Sequence, residues 1–342
     1  MRTYLLPRDG RFFKANLHCH TTVSDGHLTP KEIKTVYMAN GYQIVAYTDH
    51  DVMIDHSELA DESFLPLKGY EMEINEPTDG DVPLRLRKTC HMCLIALSPE
   101  TTRQVCWHRE KYMVRNAVHY RDLVRYDPAL PDYERSYTGA CISDMMQTGR
   151  ANGFFVTYNH PAWSMESAAQ YLSYSGMHAM EICNWGCLAG GFEGYVPYIY
   201  DDMLRHGKRI LCIAADDNHN SWDECYRDSF GGFTMIKAQR LEYRAVTRAL
   251  TEGSFYASQG PEIHELYVQD GMVYITCSPA ERIAMATGSR ASKSVSARYG
   301  SSLSEACFEI PADCGYFRLT VTDKHGKHAN TNAYFTDRIP LS

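Results

Sequence analysis

The feature that most constrains this chain is a repeated plan running from residue 11 to about residue 215. Short apolar runs of strand length alternate with helix-like or loop segments, and most of these runs lead into polar side chains that can bind metal. Strands that alternate with helices indicate a parallel barrel or a doubly wound sheet. Because the loops after the strands build the catalytic face of a barrel, polar residues gathered at the strand ends favour the barrel.

Seven strands are predicted in this part of the chain, over residues 11–17, 43–47, 64–67, 89–97, 153–158, 177–182 and 209–214. The first helix is predicted from its start signals, since Thr29 is a good N-cap, Pro30 suits the first helical position and Glu32 completes a capping box. Further helices are predicted over residues 193–206 and 241–251. Residues 99–150 are longer than an ordinary connection and predict an insertion that is part helix and part loop.

After residue 260 the pattern changes to short β-type runs without helix signals. Apolar runs on both sides of Asp270-Gly271 predict a hairpin with a tight Asp-Gly turn. We therefore expect a barrel domain over residues 1–260, with its insertion at about 99–150, followed by a small all-β sandwich over residues 261–342.

Composition excludes several classes of protein. The 342 residues are 44% hydrophobic and carry a formal net charge of -8, so duplex nucleic acid is not an expected partner. Bound metal ions could still attract a short nucleotide. No secretion signal or membrane-length run is recognised, so we expect a cytoplasmic protein with reduced cysteines and no membrane partner. Cys90 and Cys93 form a CxxC, but no second pair completes a structural zinc site. The oligomeric state stays open.

Candidate metal ligands stand at the ends of the predicted strands. His18 and His20 are one residue apart, so in a strand both side chains project from one face and could chelate a divalent transition metal. Asp217 and His219 repeat this spacing. The full set of candidate ligands is His18, His20, Asp25, His50, Glu71, His91, His160, Asp217 and His219. Each alone has a structural interpretation as a helix cap, solvated carboxylate or turn residue, but six such strand ends are hard to attribute to chance.

At these residues the chain resembles the PHP (polymerase and histidinol phosphatase) superfamily of metal-dependent phosphoesterases. His18-Cys19-His20 with Ser24-Asp25-Gly26 is similar to the HxH…SDG signature of that superfamily. The later motifs that carry the resemblance are Thr48-Asp49-His50-Asp51, Gly69-Tyr70-Glu71, the strand around His91, Asn159-His160-Pro161 and Asp217-Asn218-His219. The resemblance covers roughly residues 11–260.

One motif departs from the family pattern. The closing element is usually Gly-Ser-Asp-x-His, whereas this chain has Ala215 followed by Asp216 and Asp217. The choice of ligand between the two adjacent aspartates is therefore open at this point. Asp217 is favoured because it stands two residues from His219, which places both side chains on one face of an extended segment.

The resemblance implies a distorted (β/α)7 barrel with up to three divalent ions, which would be zinc, manganese or iron. Carried over position by position, the first ion would take His18, His20, Glu71 and Asp217, the second Glu71, His91 and His160, and the third Asp25, His50 and His219. A metal-activated hydroxide near Glu71 would attack phosphorus, with Asp217 or a histidine such as His219 moving the proton. Asp49, His27 and Arg227 are weaker candidates for supporting the ligands or touching phosphate.

We therefore expect a hydrolase acting on a phosphate ester of a small organophosphate or nucleotide. Within that class the sequence leaves open exonuclease-like cleavage of short oligonucleotide ends or nucleoside bisphosphates, and a histidinol-phosphatase-like activity. Outside it, hydrolysis of a C–N bond and a non-catalytic metal-binding regulatory module stay open. All nine candidate ligands are retained, and a degenerate site should have lost some of them, so the sequence favours an active enzyme.

Overall fold

The computed structural model describes residues 2–78, 80–221 and 226–339 as a mixed α/β protein with one large sheet and few helices. The strands are β1 (Thr3–Tyr4), β2 (Arg11–Asn16), β3 (Ile44–Tyr47), β4 (Leu65–Asn75), β5 (Thr89–Ala96), β6 (Phe154–Tyr158), β7 (Ala179–Asn184), β8 (Leu211–Ala215), β9 (Phe233–Ala238), β10 (Phe255–Ser258), β11 (Ile263–Gln269), β12 (Met272–Ala280), β13 (Arg282–Thr287), β14 (Lys293–Ser296), β15 (Leu303–Glu309), β16 (Tyr316–Thr322), β17 (His328–Thr331) and β18 (Tyr334–Phe335). The α-helices are α1 (Pro30–Ala39), α2 (Gly139–Ala151), α3 (Ala168–Tyr171), α4 (Trp185–Ala189), α5 (Pro197–Arg205) and α6 (Tyr243–Glu252).

Strands β2 to β8 lie side by side in chain order and match the seven predicted strands. The pairs β2–β3, β3–β4, β6–β7 and β7–β8 are parallel, but β5 runs antiparallel to both of its neighbours. The expected parallel alternation therefore fails at β5. The physical reason is that the described residues between β4 and β5, 76–78 and 80–88, hold a 3-10 turn, Leu84–Leu86, instead of the crossover helix that usually carries a chain back for parallel pairing.

The predicted closed barrel is not confirmed, because in the described ranges the hydrogen-bonded strand order ends at β8. Strand β2 pairs instead with β9, in antiparallel fashion. The segments after β2 and β8 are nevertheless adjacent, since an isolated bridge joins Cys19 and Asn218, and the side chain of Asn16 donates to Asn218 Oδ1 at 2.9 Å. The two segments that carry the most candidate ligands are thereby held side by side.

Local signals placed the first helix correctly. The Thr29 hydroxyl accepts from the backbone N–H of Glu32, and the Glu32 carboxylate accepts from the backbone N–H of Thr29 at 2.8 Å. This is the predicted capping box, and it starts α1 directly after the loop that carries Asp25. The insertion is part helical as expected, with the 3-10 helix Arg115–Leu123 and the helix α2 joined by irregular segments.

The C-terminal strands form two layers around a shared apolar cluster that includes Val268 and Phe317. Strands β1, β11, β12 and β15 make one sheet, whereas β14, β13, β16 and β17 continue the large sheet through the pairing of β17 with β10. Asp270 and Gly271 turn the predicted hairpin with φ angles of 50° and 71°. One of the two layers is thus connected to the site-bearing sheet by strand hydrogen bonds, whereas the other packs on it through the apolar cluster.

Two further findings bear on the expectations from composition. The eleven cysteines in the described ranges are free of disulfides. Across the same ranges, no helix combines the length and apolar character that crossing a bilayer requires.

Candidate metal centre

Glu71, in the middle of β4, lies at the centre of the candidate ligands. Its Oε1 is 3.1 Å from Nε2 of His18 and 3.3 Å from Nδ1 of His91. Its Oε2 is 3.3 Å from Nε2 of His20 and 3.3 Å from Nδ1 of His50. All five residues are buried. One carboxylate therefore faces imidazoles that come from three separate strands or strand ends.

Asp217 lies on one side of this centre. Its Oδ1 is 3.2 Å from Nε2 of both His18 and His20, and its Oδ2 is 3.7 Å from Nε2 of His160. Asn184 donates to Asp217 Oδ2 at 3.0 Å, which holds the carboxylate in this orientation. His160 also approaches Glu71, with its Nε2 at 3.5 Å from Oε1.

Asp25 lies on another side, in the loop after β2. Its Oδ2 is 3.5 Å from Nε2 of His219 and 3.7 Å from Nε2 of His50. Asp49 holds this loop in place, because its carboxylate accepts from the backbone N–H and hydroxyl groups of Thr21 and Ser24. The structure thus places Asp49 in a supporting role behind the loop that presents Asp25.

The two adjacent aspartates have different surroundings. Asp216 is fully buried and accepts the backbone N–H groups of Phe230, Gly231 and Gly232 at 2.8–3.0 Å. Burial raises the pKa of Asp216 to about 6, although these hydrogen bonds oppose the shift. Asp216 is committed to holding the loop after β8, which leaves Asp217 as the aspartate that faces the imidazoles.

Glu181, in β7, was assigned no role from the sequence. Its Oε1 lies 2.7 Å from Nδ1 of His18, and its Oε2 accepts from the backbone N–H of His160 and from Asn184, both at 2.9 Å. This contact fixes the orientation of the His18 ring, so that Nε2 faces Glu71. A charged residue inside an apolar run was the only signal in the sequence.

The remaining weak candidates lie beside the cluster. The backbone N–H of His27 donates to the carbonyl of His219 at 2.8 Å, while the His27 side chain is exposed. Arg227 lies in the loop after β8, where its carbonyl accepts from Trp185 Nε1 at 3.0 Å.

Several buried ring nitrogens of the cluster lack a well-aligned hydrogen-bond partner. Nδ1 of His50 and Nδ1 of His91 are buried without a hydrogen-bond partner, and Nε2 of His18 faces Nε2 of His20 at 3.1 Å. Buried acceptors without donors are costly, and a bound cation would satisfy them. Ligand atoms within 4.8 Å of one another occur in the groups His20–Asp25–His50–His219, His18–His20–Asp217 and His50–Glu73–His91, among others. Mixed imidazole and carboxylate donors suit transition metals.

The electrostatics of the cluster also favour added positive charge. Burial disfavours a charged His18, but Asp217 and Glu71 outweigh it and hold the pKa of His18 well above its ordinary value. Burial likewise opposes ionisation of Glu71, yet the surrounding imidazoles hold its pKa well below the usual range. His50 is the exception, because burial and the neighbouring His20 lower its pKa to about 4. Carboxylates therefore draw cations into this buried space, as protons or as metal ions.

Comparisons with known proteins return short or distant similarities. No family model matches the chain. The chain is 45% identical to a 5'-3' exoribonuclease of Haemophilus influenzae over 49 residues, which is 14% of this chain and only 18% of that relative.

Two solved structures are similar over much of the chain. One is a two-domain protein from Bacteroides vulgatus that contains a predicted PHP-like metal-dependent phosphoesterase, with 14% identity, 94% of both chains covered and a TM-score of 0.46. The other is an amidohydrolase from Chromobacterium violaceum, with 17% identity, 61% of this chain and 89% of that chain covered, and a TM-score of 0.36. Both TM-scores lie below 0.5.

Proposed function

We propose that this chain is a metal-dependent hydrolase of phosphate esters. The observation that supports it best is the convergence of imidazoles and carboxylates on Glu71, with buried ring nitrogens that lack hydrogen-bond partners. The first ion would be held by His18, His20, Glu71 and Asp217, the second by Glu71, His91 and His160, and the third by Asp25, His50 and His219. Zinc, manganese or iron suits this donor set.

The chemistry divides between the ions and the chain. Bound divalent ions neutralise phosphate charge, lower the pKa of water and stabilise the leaving oxygen. Asp217 and His219 keep partial side-chain exposure, at 13% and 29%, whereas the other imidazoles of the cluster are nearly inaccessible. Substrate and water therefore meet these two residues first, and either of them can move the proton between the attacking water and the leaving group.

The proposed substrate class rests on the positive charge of the ions that the site would bind. A concentration of cations in a buried cluster favours an anionic group, and a small organophosphate or a nucleotide provides one. The short match to an exoribonuclease makes nucleotide ends and nucleoside bisphosphates the first compounds to examine. Histidinol phosphate belongs in the same panel, and an amide or other C–N substrate serves as the comparison from another reaction class.

The test begins with the protein loaded with Mn²⁺, Zn²⁺ or Fe²⁺ and assayed for phosphate release from this panel. His18→Ala should reduce release more than about 100-fold, because loss of a mere supporting partner of a metal ligand already costs roughly 10–100-fold. Bound metal, measured by element-resolved analysis, should fall at the same time. His264→Ala provides the matched control, since His264 is half exposed on β11 and pairs only peripherally with Glu262 at 3.4 Å.

Full phosphate release by metal-depleted His18→Ala protein would contradict the proposal. Release of ammonia or an amine from the C–N substrate, without phosphate release from any ester, would move the chain to a different hydrolase class. Tight metal binding with no turnover of any compound would favour the non-catalytic regulatory module.

A further inference from the structure

The insertion brings one arginine to the edge of the candidate metal centre. Arg115 begins the 3-10 helix Arg115–Leu123, and its Nη1 lies 3.1 Å from Asp25 Oδ2. The Arg115 side chain is 68% exposed, whereas that of Asp25 is 5% exposed. The guanidinium therefore lies on the solvent side of the cluster. Because it has five N–H donors in a planar fork, one contact with Asp25 leaves donors for another oxyanion.

The backbone that follows Arg115 is attached to the loop after β2. The backbone N–H of Asn116 donates to the carbonyl of Ser24 at 3.1 Å, and its side chain donates to the carbonyl of Thr22 at 3.2 Å. Ala117 is buried in an apolar cluster with Val23 and other side chains of the insertion. Arg115 is therefore positioned by the same loop that carries Asp25.

The conformation of Arg115 is unusual for its residue type. Its φ angle is +51°, in the left-handed region that a non-glycine residue adopts only where its surroundings impose it. Such strain is concentrated at binding sites and active sites. Here it accompanies the close approach of the insertion to Asp25, and it orients a permanently charged side chain toward the cluster.

A purely structural ion pair explains this arrangement poorly. An ion pair whose cation is mostly exposed contributes little to the free energy of folding. The contact with Asp25 alone therefore offsets little of the strain in the Arg115 backbone. Arginine is suited to phosphate, since its fork matches two oxygens of a tetrahedral oxyanion. The neighbouring groups on this side, His50 and His219, are imidazoles that approach the same Asp25 oxygen.

We propose that Arg115 binds a non-ester oxygen of the substrate's phosphate group, an inference that rests on the proposed function. The insertion then has a role in substrate recognition, because it supplies a fixed positive charge beside Asp25. The ligand class is a tetrahedral oxyanion, and inorganic phosphate is its simplest representative.

The experiment uses the full-length, metal-loaded protein and inorganic phosphate as the probe. Arg115→Ala should raise the Kd for phosphate, measured by calorimetry, about tenfold and raise the KM of the best ester similarly. Arg115→Lys keeps the charge but loses the fork, so it should fall between wild type and Arg115→Ala. Bound metal should not change. Arg103→Ala is the control, since Arg103 belongs to the same insertion, is 66% exposed and pairs with Asp127 at 3.7 Å.

Two outcomes would overturn the inference. One is a phosphate Kd that Arg115→Ala leaves unchanged. The other is a loss of bound metal in Arg115→Ala with phosphate affinity per bound metal unaltered, which would make Arg115 a positioning residue for Asp25. Wild-type protein that releases no phosphate from any ester would refute the proposed function instead, and the binding comparison would still decide the role of Arg115.

Discussion

At the scale of single residues, Glu181 has the clearest supporting role in the candidate centre. Its two oxygens accept from three donors, of which His18 Nδ1 is the nearest at 2.7 Å. Glu181→Gln would turn one end of the side chain into a donor that faces the backbone N–H of His160 or the amide of Asn184. We expect a roughly 10–100-fold weaker metal affinity, measured by competition with a chromophoric chelator.

The control for this prediction is Glu193→Gln, which makes the same chemical change at an exposed position after β7. It should leave metal affinity unaltered. If Glu181→Gln binds metal as tightly as wild type, Glu181 has no part in orienting His18.

Residue spacing carried much of the prediction of the site, but not all of it. The two residues of a ligand pair such as His18 and His20 are two positions apart, which places their side chains on one face of a strand. The structure brings both imidazoles to Glu71. Spacing could only favour one of the adjacent aspartates. Asp216 and Asp217 differ because the backbone N–H groups of Phe230 and its neighbours bind the carboxylate of Asp216. The turn after β8 brings these groups there, and no pattern in the sequence near Asp216 indicates it. Glu181 was missed for the same reason, since His18 and His160, its partners among the candidate ligands, are distant in sequence.

At the scale of elements, the insertion is attached to the sheet by a buried ion pair. Arg135 contacts Asp51 and donates to the carbonyl of Glu73 at 3.0 Å, and its guanidinium lies 4.4 Å from the ring centroid of Tyr112. Arg135→Ala would leave Asp51 buried without its cation. We expect the free energy of unfolding, measured with urea, to fall by about 3–5 kcal/mol.

Arg109→Ala is the comparison within the same insertion, because the side chains of Arg109 and Asp132 are 37% and 34% exposed, against 3% and 1% for Arg135 and Asp51. It should change the urea midpoint little. A stability loss no larger for Arg135→Ala than for Arg109→Ala would show that the buried pair does not hold the insertion.

Element types were predictable where local signals exist, as in the capping box of α1. Strand direction was not predictable in the same way. The sequence of β5 reads as one more buried strand in a repeating series, and its antiparallel direction follows only from the connection over residues 76–88. The barrel was expected from the polar residues at the strand ends and from the family resemblance, and the reversal of β5 interrupts the parallel repetition that such a barrel needs.

At the scale of the whole molecule, the helical flank of the large sheet and the C-terminal strands share a buried ion pair. Arg318 in β16 donates to both carboxylate oxygens of Asp201 in α5, at 2.9 and 2.7 Å. Arg318→Ala should lower the free energy of unfolding by about 3–5 kcal/mol, since it leaves the buried carboxylate of Asp201 without its cation. The measurement is chemical denaturation followed by far-UV circular dichroism.

Arg282→Ala gives the reference for Arg318→Ala. Arg282 is exposed on β13 and bonds weakly to Ser294 at 3.4 Å, so its loss should leave the denaturation curve nearly unchanged. Equal curves for Arg318→Ala and wild type would contradict a stabilising contact between α5 and β16.

The pairing of early strands with late ones has a consequence for synthesis. Strand β1 pairs with β11, for example Thr3 with Val268, and β2 pairs with β9. At about 5–20 residues per second, a ribosome needs on the order of 10–50 s to produce the partner of the first strand. During that interval apolar strand edges of the nascent chain lack their partners, so overproduction at lower temperature or with chaperones should raise the yield of folded protein.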